Sequence, residues 1–144
     1  GATGSMIEME VAIDLRPAYT LRADGLIVST PTGSTAYALS AQGPIVHPSV
    51  PAMLMVPVAP HALTNRPVVL PDTSTIVVRM LRGRDAGLHC DGQAHFAMSE
   101  GDELTVVRSE YSARLIHPLT YDYFSMLRRK LAWGETADKF HSED

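Results

Sequence analysis

Apolar and polar residues alternate from Glu8 to Leu15, with Met9, Val11, Ile13 and Leu15 on one side and Glu8, Glu10, Ala12 and Asp14 on the other. That period of two predicts a half-buried strand. Arg16-Pro17-Ala18 predicts a turn and Tyr19 to Ala23 a return strand. A short apolar run, Gly25 to Ser29, feeds a loop crowded with Thr and Ser, and Thr35 to Gln42 predicts a short helix stopped by Gly43-Pro44. Further strands are expected at Met53 to Val58, Pro67 to Leu70 and Ile76 to Leu81. Leu88 to Cys90 and Ala94 to Met98 flank Asp91-Gly92, a dipeptide that favours a type I′ hairpin turn. After a turn at Glu100-Gly101-Asp102, Glu103 to Arg108 and Ser112 to His117 read as a final hairpin. Beyond Pro118 the spacing becomes helical, with Tyr123, Leu127 and Leu131 in phase, basic residues late and Gly134 as the stop.

Many short strands separated by turn signals predict a mostly-β, two-layer sandwich-like domain, with a short helix after the polar loop and an amphipathic helix near the end. Gly1 to Ser5 reads as a tag remnant, 6–134 as the domain and 135–144 as a polar tail. The first strand starts abruptly at Ile7, which predicts a piece of a longer protein. The 144 residues suffice for one real core, and 45% hydrophobic with 19% charged residues is ordinary for a globular protein. A net charge of −4 argues against a general nucleic-acid binder. No apolar run approaches the roughly 20 residues needed to span a bilayer. The single cysteine, Cys90, excludes an internal disulfide framework and fits a reducing, cytoplasmic setting.

The stretch from Ile27 to Pro44 carries the densest chemistry. A polar loop entering a helix presents unpaired backbone N–H groups, to which Thr32, Ser34 and Thr35 add hydroxyls. Gly33 would let a ligand approach the backbone. Such a loop suits nucleotide phosphates or ribose hydroxyls, yet it matches neither GxxxxGK[ST] nor GxGxxG. It holds no Lys, which makes it a poor phosphoryl-transfer catalyst alone. It reads equally as a capped strand–turn–helix. Asp24-Gly25 reads as a turn or as an acceptor for ribose hydroxyls or an amide, with Arg22 as a nearby anion donor. Asp91-Gly92-Gln93 is a plain hairpin turn or a polar tip aimed into a site. The six histidines show no metal-ligand spacing; His89 and His95 could face each other across the Asp91-Gly92 turn, a weak zinc case. His47, His61 and His117 read as structural, and Cys90 as buried on a strand.

The run Asp24-Gly25-Leu26-Ile27-Val28-Ser29-Thr30-Pro31-Thr32-Gly33-Ser34-Thr35-Ala36-Tyr37 resembles the signature of the bacterial NAD kinases. Gly43-Pro44-Ile45, His47-Pro48, Pro60-His61-Ala62-Leu63, Arg66-Pro67, Asp91-Gly92-Gln93 and Leu115-Ile116-His117-Pro118 continue the resemblance in order. It implies a β-rich, C-terminal NAD-binding domain of an enzyme that transfers the ATP γ-phosphoryl group in line to the 2′-hydroxyl of NAD's adenosine ribose. The family's Gly-Gly-Asp-Gly motif and its Asn-Asp or Asn-Glu pair are absent: no two of the ten glycines adjoin, and Asn65 is followed by Arg. The resemblance therefore implies no catalytic residue in this chain, which is expected to be inactive alone.

By position, the resemblance implies that Thr35, Ala36, Tyr37, Ala38, Leu39 and Ser40 line the NAD site, with Thr35, Ala36 and Tyr37 nearest the nucleotide. It implies contacts to the dinucleotide from Asp24, Arg22, Gln93 and Asp91, with Ala59 and His61 bordering the nicotinamide. Gln42 stands where the family commonly has Gly. The implied partners are NAD or NADP, an absent N-terminal α/β domain and further copies in a homo-oligomer, with no nucleic acid or membrane. Mg²⁺ would act with ATP in the full-length enzyme, and no metal is expected on this chain. The alternative is a non-catalytic oligomerisation module of the same enzyme.

Overall fold

The computed structural model describes residues 6–132, which divide into two units at Ser109/Glu110. The expected tag, the stop at Gly134 and the tail lie outside the described residues.

In the first unit, β1 (Ile7–Ile13) pairs antiparallel with β2 (Arg16–Ala23). The turn between them is Asp14-Leu15, not the expected Arg16-Pro17-Ala18. Both residues adopt positive φ, 52° and 66°, the geometry a two-residue hairpin requires. Asp14 is pinned there: its Oδ1 accepts from Thr75 N and its own N donates to Thr75 O, both at 2.9 Å. Leu15 is accordingly exposed and does not continue the apolar face. Pro17 then falls inside β2, which is tolerated because β2 is an edge strand.

β3 (Gly25–Ser29), β4 (Ala52–Val58) and β5 (Val68–Pro71) form a second antiparallel sheet in that order. β6 (Ile76–Arg82) and β9 (Glu103–Val106) complete the first sheet, ordered β2-β1-β6-β9. β7 (Ala86–Cys90) and β8 (Ala94–Met98) form a separate two-stranded sheet. Met9, Val11, Leu21, Ile76, Val78 and Met80 of the first sheet share one core cluster with Met53 and Met55 of β4. The two larger sheets thus pack face to face, the sandwich the alternation predicts. The opposite face of β4 is also covered: Leu54 and Val56 pack with Ala38. Burial on both faces explains why β4 reads as an unbroken apolar run. Pro57 sits within β4 because β5 pairs only with Ala52 to Met55, so its missing N–H breaks no ladder on that side.

The expected hairpin of Glu103–Arg108 with Ser112–His117 does not form. β9 pairs instead with β6, from Ile76↔Val106 to Arg79↔Glu103. Cys90, expected to be buried, is exposed. Among the described residues its hairpin meets the main core cluster through Ala86 and Met98.

The second unit holds α2 (Tyr123–Leu131), capped by Asp122, whose Oδ1 accepts from Phe124 N at 3.1 Å. Arg128, Arg129 and Lys130 occupy its last turn, and Ala132 ends it in the left-handed region. His117 stacks on Tyr121 at 3.8 Å, the local role expected of it.

Candidate functional site

The polar loop folds as one 3-10 turn, Thr32–Thr35, followed by a four-residue helix, α1 (Tyr37–Ser40). Ala36, at φ −96° and ψ −129°, breaks the continuous helix expected from Thr35 to Gln42. With so short a helix, the macrodipole argument for phosphate binding loses its force. The hydroxyls are also committed differently from the expectation. Ser34 is fully buried; its Oγ donates to Pro31 O at 2.6 Å and accepts from Val46 N at 3.1 Å. Thr30 Oγ1 accepts from Gly33 N at 3.1 Å. A Cβ at Gly33 would stand 2.9 Å from Ser29 Oγ, so a side chain there would have to displace the Ser29 hydroxyl. Ser34 is a structural pin, and the groups left facing outward are Thr32, Ala36, Tyr37 and Ser40. Tyr37 is 79% exposed, its ring open to solvent.

The end of α1 is a Schellman motif: Gly43 N donates to Ala38 O at 2.7 Å and Gln42 N to Leu39 O at 2.9 Å. The left-handed residue is Gln42, at φ 67°, and not Gly43 as the sequence suggests. Gly43 is glycine for space, since a Cβ there would lie 2.8 Å from both Ala38 O and Val56 Cγ2. These contacts fix the course of α1. The loop before it lies beside Ser29 at the far end of β3, and Gly43 after it lies against Val56, which pairs with Ile27. The chain from Gly33 to Gly43 thus passes from the Ser29 end to the middle of β3.

At the start of β3 the backbone gathers residues far apart in sequence. Asp24 N donates to Val58 O, and His61 N donates to Arg22 O, both at 2.9 Å. Gly25 pairs with Val58. Arg22, Asp24, Ala59 and His61 thus meet where β2 leads into β3 and β4 ends, with Ala59 in the left-handed region at φ 48°. Arg22 Nε lies 3.5 Å from Glu8 Oε2, with the Arg22 side chain 61% exposed and the Glu8 side chain 20% exposed. The carboxylate is thus largely covered, while the guanidinium keeps a face open to solvent. Glu8 was not legible as a site neighbour; only the β1–β2 register, Glu8↔Arg22, sets it there.

Asp91 and Gln93 do form the expected tight turn. Asp91 and Gly92 have φ of 51° and 68°, and Gln93 N donates to Cys90 O at 2.9 Å. They sit on the separate β7–β8 sheet, so strand pairing does not carry them to the Asp24 end. A cavity of about 270 Å³ lies further along the His61 segment, lined by Tyr19, Thr64, Asn65, Arg66 and Val68. None of the expected site residues lines it. Tyr19 Oη is buried and has no hydrogen-bond partner among the described residues, and burial pushes its phenol above the usual 10.0. His47 is locally engaged, its Nδ1 accepting from Ser49 N at 3.1 Å. No group of three or more His, Cys, Asp or Glu side chains is placed to hold a metal among the described residues. No helix among them is long and apolar enough to cross a membrane.

The fold defines a β-sandwich domain with a glycine-marked loop beside its β3-β4-β5 sheet. The ATP-NAD kinase C-terminal domain family matches residues 1–118, and the chain belongs to that family. It is 56% identical over 136 residues to the NAD kinase of Aromatoleum aromaticum, covering 94% of this chain and 45% of that protein. To the NAD kinase of Laribacter hongkongensis it is 53% identical over 135 residues, covering 94% and 46%. The chain thus spans a little under half the length of these relatives. Among solved structures it resembles yeast NADH kinase complexed with NADH, with a TM-score of 0.67 and 41% identity over 71% of this chain and 30% of that one. It also resembles an NAD kinase from Archaeoglobus fulgidus in complex with ATP, with a TM-score of 0.67 and 34% identity over 74% and 41%.

Proposed function

We propose that this chain is the dinucleotide-binding half of an NAD kinase, which transfers the ATP γ-phosphoryl group to the 2′-hydroxyl of NAD's adenosine ribose to make NADP. The observation that carries the reading is the gathering of Arg22, Asp24, Ala59 and His61 at the start of β3, the strand along which the Gly33-to-Gly43 segment passes. An extended ligand could lie along that path. Tyr37 offers an aromatic face to the adenine and Ser40 and Thr35 offer hydroxyls to the ribose. Arg22 is a donor for the pyrophosphate, and Asp24 an acceptor for the nicotinamide amide. Ala59 and His61 would border the nicotinamide, and Asp91 with Gln93 would close on the ligand from the β7–β8 tip. The NADH complex of the similar yeast enzyme supports a dinucleotide ligand.

The chain's share of catalysis is to orient the acceptor hydroxyl, and positioning is most of what phosphoryl transfer requires of a protein. No group of three or more His, Cys, Asp or Glu side chains among the described residues is placed to hold the hard, oxygen-seeking Mg²⁺, so we assign Mg²⁺ to the ATP complex handled outside this chain. Without a Gly-Gly-Asp-Gly motif the chain is inactive alone, and the absent half is an α/β domain. The setting we infer is a cytoplasmic homo-oligomer. Leu63, 88% exposed, and Phe96, 58% exposed, give some support to a second reading as an assembly module only.

Calorimetry separates the two. NAD or NADP should bind at millimolar concentration or below, and Asp24→Asn should weaken binding by more than the ~0.5 kcal/mol of a neutral surface change. A stable oligomer that takes up neither dinucleotide would leave only the assembly reading. Formation of NADP by the chain with ATP, Mg²⁺ and NAD would refute its inactivity.

A further inference from the structure

His89 on β7 and His95 on β8 are directly opposed in the register of their hairpin. Their rings meet edge to face, with centroids 4.3 Å apart and planes at 85°. Both residues are exposed. A Cβ at Gly87 would lie 3.5 Å from His89 Nε2. The imidazole of His89 thus leans back over a position that carries no side chain, and its Nε2 is not crowded. Two imidazoles on directly paired residues of one sheet face are a preorganised bidentate nitrogen donor, because the strand ladder already holds their Cβ atoms about 5 Å apart.

We propose that His89 and His95 form a two-imidazole site for a late first-row divalent cation, Zn²⁺ or Ni²⁺. Imidazole nitrogen suits these ions, with Zn–N bonds of about 2.0–2.1 Å. Modest side-chain rotation from the edge-to-face arrangement brings one nitrogen of each ring onto a common ion, and water fills the remaining positions. Cys90 is no part of the site. Successive side chains alternate across a strand, which puts its thiol on the other face from His89.

The ion would act as a clip across the middle of the hairpin. An isolated two-stranded sheet is marginal in water, and among the described residues this one meets the main core cluster through Ala86 and Met98. A cross-strand ligand bridge couples ion binding to strand pairing, so the ion stabilises the folded hairpin by mass action.

The test uses the 144-residue chain, titrated calorimetrically with Zn²⁺ and separately with Ni²⁺. One ion per chain is expected. His89→Ala and His95→Ala should each raise the apparent Kd at least about tenfold, a loss of roughly 1.4 kcal/mol. Cys90→Ser and His61→Ala should leave it unchanged. Amide exchange within Leu88 to Phe96 should slow on adding the ion in the parent chain and not in either His variant. His89→Gln and His95→Gln repeat the comparison with a residue of similar bulk, and circular dichroism establishes that each variant is folded. Unchanged affinity in both His variants, loss of the site in Cys90→Ser alone, or no uptake at a hundredfold excess of ion would each overturn the proposal.

Discussion

Gly43 and Gln42 are neighbours with opposite requirements, and substitutions at the two should move stability in opposite directions. At Gly43 an added Cβ meets Ala38 O and Val56 Cγ2, each at 2.8 Å. One obstacle is backbone and the other a methyl of a fully buried side chain, so neither can swing aside. Overpacking of this kind costs about 1–3 kcal/mol. Separating Gly43 N from Ala38 O, now 2.7 Å apart, weakens a buried backbone bond worth about 1 kcal/mol. Gly43→Ala should therefore destabilise by about 2–4 kcal/mol, or about 6–12 °C in Tm for a domain of this size. Gln42 holds φ 67° with a side chain attached. Gln42→Gly removes that penalty and should stabilise by about 0.5–1 kcal/mol after the added unfolded-state entropy is counted. Urea denaturation and thermal melts followed by circular dichroism read both. A Gly43→Ala variant within 0.5 kcal/mol of the parent, or a Gln42→Gly variant less stable than it, would refute the assignment of roles.

Ser34→Ala deletes a buried hydroxyl and strands Val46 N, so a loss of about 1–3 kcal/mol is expected in urea denaturation; a neutral result would return Ser34 to the ligand-facing set. Tyr19→Phe removes a buried hydroxyl that has no partner among the described residues. It should be neutral or stabilising by about 1 kcal/mol, and a clear loss would reveal a hydrogen bond. Burial raises the Tyr19 phenol above 10.0, so its contribution to stability is complete below that pH and is lost as pH rises toward the folded-state pKa. The parent should lose stability above pH 10 more steeply than Tyr19→Phe, and parallel pH profiles would contradict this. Glu8→Gln breaks an ion pair that is open at Arg22, 61% exposed, and largely covered at Glu8, 20% exposed, and should shift stability by less than about 1 kcal/mol; a larger loss would mean that Arg22 is held more firmly than its exposure indicates.

Local physics carried far in this chain. Period-two alternation located β1, the apolar runs located β3 and β4, and Asp91-Gly92 located the β7–β8 turn, because each rests on neighbouring residues alone. The family was legible in the run from Asp24 to Tyr37, where backbone geometry and exposed groups must both be met within a few residues. What only the tertiary structure decided involves partners distant in sequence. Thr75 moved the first turn to Asp14-Leu15, and β6 took β9 from its expected hairpin. Val46 and Pro31 turned Ser34 inward. Val56 made Gly43 a matter of space, with the left-handed φ falling to Gln42. The gathering of Arg22, Asp24, Ala59 and His61 has the same origin: it depends on the β3–β4 ladder and two backbone bonds across it. A hydrogen bond or a steric limit between residues a dozen or more positions apart leaves no periodic trace in the chain, so it becomes readable only once the sheets are assembled.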